Sequence, residues 1–113
     1  MSEETIVLCG ANSYQQKYYF NEEFAGLPEQ VKRELKIMCV LFTEDVGGTL
    51  TLEFTEEGTL ILRVSCEDGD YLFDEIGSEL KIREMQQGEE ELLAALEQYF
   101  QTVYLGENGE SKS

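Results

Sequence analysis

Two stretches, Leu50-Thr-Leu-Glu-Phe54 and Leu60-Ile-Leu-Arg-Val-Ser-Cys66, carry the clearest structural pattern in this chain. In each of them apolar side chains recur at every second position, which gives an extended strand one apolar face. Between them, Glu56-Glu-Gly58 has the composition of a turn. The sequence therefore predicts an antiparallel β-hairpin with one face packed against a core and the other facing solvent.

A second hairpin is predicted near the start of the chain. Residues 5–9 and 14–20 alternate as strands, and residues 10–13, Gly-Ala-Asn-Ser, have turn chemistry. Between the two hairpins a helix is predicted to begin at Pro28, because proline suits a first helical turn, and to end at the glycine pair 47–48. The apolar residues of this helix recur at spacings of four, three and four: Val31, Leu35, Met38 and Phe42.

The remainder of the chain predicts two more helices. Tyr71-Leu-Phe73 fits either a short fifth strand or the start of the next helix, since Phe73, Ile76 and Leu80 have helical spacing. Gly88 breaks the chain before a last helix. That helix opens with three glutamates, and its candidate C-cap is Gly106. Its apolar stripe consists of Leu92, Leu96, Tyr99 and Val103.

The predicted element order is β-β-α-β-β-(β)-α-α. The economical arrangement for this order is an α+β fold with two layers, an antiparallel sheet of four or five strands with helices packed on one face. At 113 residues the chain has the length of one domain. We expect residues 1–106 to form a single globular domain and residues 107–113 to form a polar, disordered tail.

The chain is strongly acidic, with 24 acidic and eight basic residues and a net charge of −16. On a fold of this size that is about one net charge per 400 Å², or a spacing of roughly 20 Å, whereas the Debye length in cells is about 8 Å. The average charge is thus largely screened, and only a local cluster can define a site. The sign of the charge opposes binding to nucleic acid and to anionic membranes.

The sequence has no pattern of a secreted or membrane protein. Residues 1–4 are acidic at the position where a secretory signal is basic. The longest unbroken apolar run, residues 37–42, has six residues, whereas a membrane span needs about 20. We therefore expect a cytoplasmic protein that makes no contact with a membrane.

Three cysteines and no histidine limit the chemistry of the chain. An odd number of widely spaced cysteines is not a disulfide framework, and without histidine or a CxxC pair there is no zinc pattern. Triads and general bases that depend on histidine are excluded. The sequence predicts reduced thiols, with no metal, no cofactor and no catalytic residue.

The loop from Cys9 to Asn12, followed by Ser13, is the most site-like short segment. It combines a thiol, an amide and a hydroxyl beside a glycine, which makes Cys9, Asn12 and Ser13 a candidate ligand loop. A reactive thiolate needs a nearby cation or a helix N-terminus, and the surroundings of Cys9 in the sequence are acidic. The alternative interpretation is a tight turn with a cysteine at the end of a strand.

Two acidic pairs are candidate interaction residues. Glu44 and Asp45 fall at the C-terminal end of the predicted first helix, where the helix dipole disfavours negative charge. A helix end that breaks this rule indicates a site, a solvated turn or a pair with a distant arginine. Asp68 and Asp70 lie in an acidic turn that does not match a calcium-binding EF-hand loop, because leucine and phenylalanine occupy its fifth and sixth positions.

Three functional interpretations remain open. The first is a non-enzymatic protein–protein interaction module whose acidic surface binds a basic protein partner. The second is a small-ligand binder or an enzyme that uses the Cys9–Asn12 loop, with Glu44 and Asp45 as further participants. The third is a homodimer joined through the all-apolar residues 37–42 or through the aromatic residues 18–20.

The sequence also resembles a known family. The segments that carry the resemblance are Val7–Tyr14, Lys17–Asn21, Met38–Gly48, Leu52–Phe54 and Phe73–Gly77. They resemble an uncharacterised family, a domain of unknown function, of small acidic proteins from clostridia and related Firmicutes. The resemblance covers residues 5–106. It implies a bacterial source, and it implies no activity, cofactor or functional residue.

Overall fold

The computed structural model describes residues 4–105. The strands are β1 (Ile6–Asn12), β2 (Lys17–Phe20), β3 (Thr49–Phe54) and β4 (Leu60–Ser65). The α-helices are α1 (Glu29–Val46), α2 (Glu75–Gly88) and α3 (Glu90–Phe100). A 3-10 turn, Glu22–Phe24, precedes α1, and a π-helical turn, Gln101–Leu105, continues α3. The candidate C-cap Gly106 and the predicted tail, residues 107–113, lie outside the described residues.

The four strands form one antiparallel sheet in the order β2-β1-β3-β4. Both predicted hairpins are present, and they join where β1 pairs with β3. Leu52 lies opposite Cys9 on one side and opposite Leu62 on the other. The alternation therefore places the apolar positions of three strands on the same face. The predicted α+β fold with an antiparallel sheet is confirmed, and the sheet in the described chain has four strands.

The helices cover the apolar face of the sheet. α1 packs against β1 and β3. It buries the side chains predicted from its spacing, among them Leu35, Met38 and Phe42. At the end of the sheet where β3 finishes, the ring of Phe54 stacks on that of Phe100, with 4.3 Å between ring centroids. The core thus lies between one sheet and one layer of helices.

The opposite face of the sheet carries a nearly buried carboxylate. Glu53 is only 8% exposed. Its carboxylate accepts hydrogen bonds from Thr5 and Thr51, both at 2.8 Å, and from Nε of Arg63 at 3.2 Å. Burial alone would raise the pKa of Glu53, but the threonine hydrogen bonds and the Arg63 guanidinium outweigh it and lower that pKa below its usual value.

Two details of the predicted elements differ in the structure. β1 continues to Asn12 and β2 begins only at Lys17, because the turn of the hairpin is formed by residues 13–16 and not by the predicted residues 10–13; the predicted Cys9–Asn12 loop is therefore part of a strand. Residues 71–73 are neither a strand nor part of α2, which begins at Glu75 after its N-cap Asp74. The helical spacing of Ile76 and Leu80 does not mark a buried face, since these side chains are 75% and 53% exposed.

Candidate functional site

Three loops meet at the end of the sheet where β1 ends and β3 begins: residues 13–16, 47–48 and 66–74. We call these loops, together with residues 75–80 at the start of α2, the loop end. The backbone N–H of Ser13 donates to the carbonyl of Gly48 at 3.0 Å. The Tyr14 hydroxyl donates to the carboxylate of Asp70 and accepts from the backbone N–H of Glu67 at 3.0 Å. These long-range hydrogen bonds fix the acidic segment after β4 against the first hairpin.

The glycine pair after α1 allows close contact between its loop and residues 66–74. Gly48 has φ +71°, a conformation that favours glycine. A Cβ atom at this position would lie 2.5 Å from the carbonyl oxygen of Ser65 and 2.8 Å from Cε1 of Phe73. The Phe73 ring therefore rests where a side chain would stand. The backbone N–H of Asp74 also donates to the carbonyl of Val46 at 3.2 Å, which is a second contact between residues 66–74 and the end of α1.

Residues 67–80 concentrate negative charge, with six carboxylates and no basic residue. Two of the carboxylates hold local structure. Asp70 accepts from Tyr14 and from the backbone N–H of Leu72, and Asp74 caps α2 by accepting from the N–H of Gly77. The other four are exposed: Glu67, Asp68, Glu75 and Glu79. Of the two candidates predicted here, Asp68 faces solvent and Asp70 is engaged in holding the loop.

The second predicted acidic pair lies in the last turn of α1, as the sequence indicated. Asp45 forms an ion pair with Lys81 of α2, with 2.7 Å between Oδ2 and Nζ. The hydrogen bond with Asp45 raises the pKa of the Lys81 ammonium. This partner offsets part of the unfavourable interaction of Asp45 with the helix dipole. Glu44, its neighbour, is exposed and lines a cavity on a different side of this helix end.

That cavity, of about 730 Å³, lies between the β1–β2 turn and α1. It brings together two residues of the candidate ligand loop, Asn12 and Ser13, with Glu44. Lys17 and Lys36 also line it; Lys17 is the basic side chain nearest to Cys9 in the sequence, whereas nothing in the sequence connects Lys36 with this loop. The arrangement offers two ammonium groups, an amide and hydroxyl groups to a small polar molecule.

Cys9, the remaining residue of the candidate ligand loop, lies in the core. Its Sγ is 3.9 Å from Sγ of Cys39, and both residues are fully buried. The hydrogen bond with Cys9 and burial raise the pKa of the Cys39 thiol. Burial likewise raises the pKa of the nearby Tyr18, whose hydroxyl is buried without a hydrogen-bond partner among the described residues. The structure thus separates Cys9 from Asn12 and Ser13.

The loop end also exposes apolar side chains that the sequence analysis did not single out as a surface. Tyr71 is 95% exposed and Leu72 is 93% exposed. A signal was present in the sequence, since these residues stand between carboxylates on both sides. It was not decisive, because Tyr71-Leu-Phe73 also fitted a short fifth strand or the start of the next helix.

Within residues 4–105, no three histidine, cysteine or acidic side chains are grouped so that they could hold a metal ion. In that same range, no helix has both the length and the apolar character needed to cross a membrane.

Comparison with known proteins places the chain in a family. A family model described as a family of unknown function, DUF6145, matches residues 5–108. The chain belongs to this family. No curated protein and no solved structure matches the chain. Membership of DUF6145 thus supplies no activity.

Proposed function

We propose that this protein is a non-enzymatic protein–protein interaction module that binds a basic protein partner through the acidic surface of its loop end. The observation that carries the proposal is the set of four exposed carboxylates, Glu67, Asp68, Glu75 and Glu79, in a segment without a basic residue. The hydrogen bonds of Tyr14 hold this segment in place. A fixed group of like charges creates a local potential that the average surface charge does not.

A surface of this kind affects association in a recognisable way. Complementary charge steers the encounter of two proteins and raises the association rate at low salt. The charges are exposed, so their interaction with a partner is screened within about 8 Å at physiological ionic strength. We therefore expect affinity for the basic partner to fall as salt increases.

The test compares two variants with the same change in net charge. In the loop-end variant, Glu67→Gln, Asp68→Asn, Glu75→Gln and Glu79→Gln remove the proposed surface. In the matched control, glutamine replaces four exposed glutamates at the opposite end of the sheet: Glu22, Glu23, Glu56 and Glu57. Tagged wild-type protein is used at low and high salt to capture partners from a native lysate, and each partner is then purified and titrated.

The proposal expects a basic partner that wild type and the control variant bind at low salt and that the loop-end variant binds at least tenfold more weakly. A partner that binds equally well at high salt, or that both variants bind equally, would contradict it.

The cavity at Asn12 and Ser13 favours a second candidate function, the binding of a small anionic ligand. Lys17 and Lys36 place two of the chain's eight basic residues beside that cavity. Thermal shift measurements with small carboxylates and phosphates test this idea. The expected result is a stabilisation that Lys36→Met abolishes and that Lys32→Met, on the same helix, preserves.

In the enzymatic form of this second candidate function, Cys9 is the reactive residue. It requires a thiol that reacts with iodoacetamide faster than an ordinary cysteine. The exposed Cys66 supplies an internal reference in the same molecule. Ordinary or slower alkylation of Cys9, with ligand binding retained in Cys9→Ala, would exclude it.

A further inference from the structure

Four exposed apolar side chains lie within the acidic segment 67–80. They are Tyr71, Leu72, Ile76 and Leu80, which are 95%, 93%, 75% and 53% exposed, and we call them the apolar strip. Single exposed apolar residues are normal on a protein surface. Four large ones within ten consecutive residues form a patch of the kind that marks an interaction site.

The fold holds the first two members of the strip in solvent by specific contacts. Asp70 accepts hydrogen bonds from the Tyr14 hydroxyl and from the backbone N–H of Leu72. On the other side, Phe73 packs against the glycine pair after α1. Since the residues on either side are fixed, Tyr71 and Leu72 cannot turn into the core.

The other two members belong to α2 and lie on one of its faces. Ile76 and Leu80 are four residues apart, so they stand one above the other about one helical turn apart. The cap formed by Asp74 fixes where the helix begins. The buried face of α2 is formed by other side chains: Ser78, Ile82 and Met85. The strip is therefore a second apolar face of this helix, which no described element covers.

We propose that the apolar strip binds the apolar face of a basic amphipathic helix of a partner protein. The carboxylates of Glu67, Asp68, Glu75 and Glu79 would pair with the lysine and arginine residues of that helix. In this mode of recognition an amphipathic helix lays its apolar face against an apolar surface of the receiving protein, and here the carboxylates beside that surface select a basic helix. The inference rests on the proposed interaction function and adds the partner's chemistry.

Charge decides against two other occupants of the strip. A second copy of this chain would bring its own carboxylates against these, because the same surface meets itself in a two-fold dimer. An anionic lipid surface would likewise be repelled. A basic helix is the occupant that satisfies both the exposed apolar side chains and the negative charge.

A designed peptide makes the inference testable before any natural partner is known. The probe is a leucine–lysine peptide of about 18 residues, or five helical turns, with leucine on one face. Its control is a scrambled peptide with the same composition and charge but no apolar face. Fluorescence anisotropy measures the binding of both labelled peptides to the full-length protein.

Two double variants distinguish binding to the strip from binding to exposed apolar side chains elsewhere on the protein. Leu72→Gln with Ile76→Gln changes the strip. Ile37→Gln with Leu41→Gln changes an exposed apolar pair on α1, whose members are 51% and 56% exposed. All four residues are exposed, so both proteins should fold, and circular dichroism verifies this.

The expected result is that the amphipathic probe binds at least tenfold more tightly than the scrambled peptide. The strip variant should lose about tenfold or more in affinity for the probe, the range of a residue that dominates an interface, and the α1 variant should lose little. If both peptides bind equally and only the loop-end variant weakens their binding, the strip inference is overturned while the proposed acidic interaction module stands. If neither peptide binds, both are overturned.

Two further results would overturn the inference alone. Sedimentation that shows a dimer, dissociated by the strip variant, would assign the strip to a second copy of the chain. Binding to zwitterionic phosphatidylcholine vesicles that depends on Leu72 and Ile76 would assign it to a lipid surface.

Discussion

At the residue scale, Glu53 is an ionised carboxylate in a nearly buried position, and its role depends on pH. Glu53→Gln keeps the shape of the side chain but removes its charge and turns one acceptor oxygen into an NH2 donor, so the ion pair with Arg63 and an acceptor for the hydrogen bonds from Thr5 and Thr51 are lost. We expect the free energy of unfolding at pH 7 to fall by about 1–2 kcal/mol. Urea unfolding followed by circular dichroism measures it, with the exposed Glu57→Gln as the control.

The lowered pKa of Glu53 fixes the direction of the pH dependence. A carboxyl group whose pKa is lower in the folded state stabilises the fold fully above its unfolded pKa, here 4.5. That contribution disappears as pH falls through the folded pKa. The difference between wild type and Glu53→Gln should thus be largest near neutral pH and should shrink below about pH 4.5. A difference that grows on acidification would contradict this assignment.

At the element scale, the junction between α1 and β3 depends on a glycine that has no room for a side chain. Gly48→Ala adds strain at a positive φ and a clash with the Ser65 carbonyl and Phe73, so we expect a loss of about 3 kcal/mol or more. Gly69 is the matched control, because it has φ +82° and no atom within 4 Å of an added Cβ. Gly69→Ala should cost only about 1 kcal/mol. Thermal unfolding of both variants measures the difference, and equal losses would refute the close packing at Gly48.

The elements that could be predicted from the sequence are those whose pattern of apolar residues depends only on nearby positions in the chain. Residues 50–66 alternate because each strand of that hairpin has one buried face, and the structure has the predicted strands there. The orientation of α2 could not be predicted this way. Ile76 and Leu80 share a face at helical spacing, yet the side chains that pack inward are Ile82 and Met85.

Part of the candidate site could likewise be predicted from the sequence, and part could not. The negative charge of residues 67–80 is visible in the sequence, so its acidic residues could be proposed in advance. The exposure of Tyr71 and Leu72 could not be decided from the sequence, because it depends on contacts between distant parts of the chain. Tyr14 and Asp70 are 56 residues apart in sequence when they form their hydrogen bond. Local patterns carry no information about such a contact.

At the scale of the whole molecule, a net charge of −16 should make the stability of the fold depend on salt. Self-repulsion destabilises the compact state, and screening relieves it. Raising NaCl from about 0.01 M to about 0.1 M shortens the Debye length from about 30 Å to about 10 Å. We expect the melting temperature to rise by about 4–8 °C if screening recovers about 1 kcal/mol. A melting temperature that does not change with salt would show that self-repulsion is negligible.

The distribution of this charge allows a sharper prediction. The loop-end variant and the control variant each remove four negative charges, so an effect of net charge alone would raise the melting temperature equally at low salt. The four loop-end carboxylates lie within residues 67–79, a stretch without a basic residue, whereas the control carboxylates fall in two pairs, 22–23 and 56–57, that are distant in sequence; the mutual repulsion at the loop end should therefore be greater. We therefore expect the loop-end variant to be the more stable of the two at low salt, with the difference vanishing at high salt. An acidic surface that lowers the stability of its own fold is what a binding function would maintain, because proteins commonly lose stability where function constrains the residues.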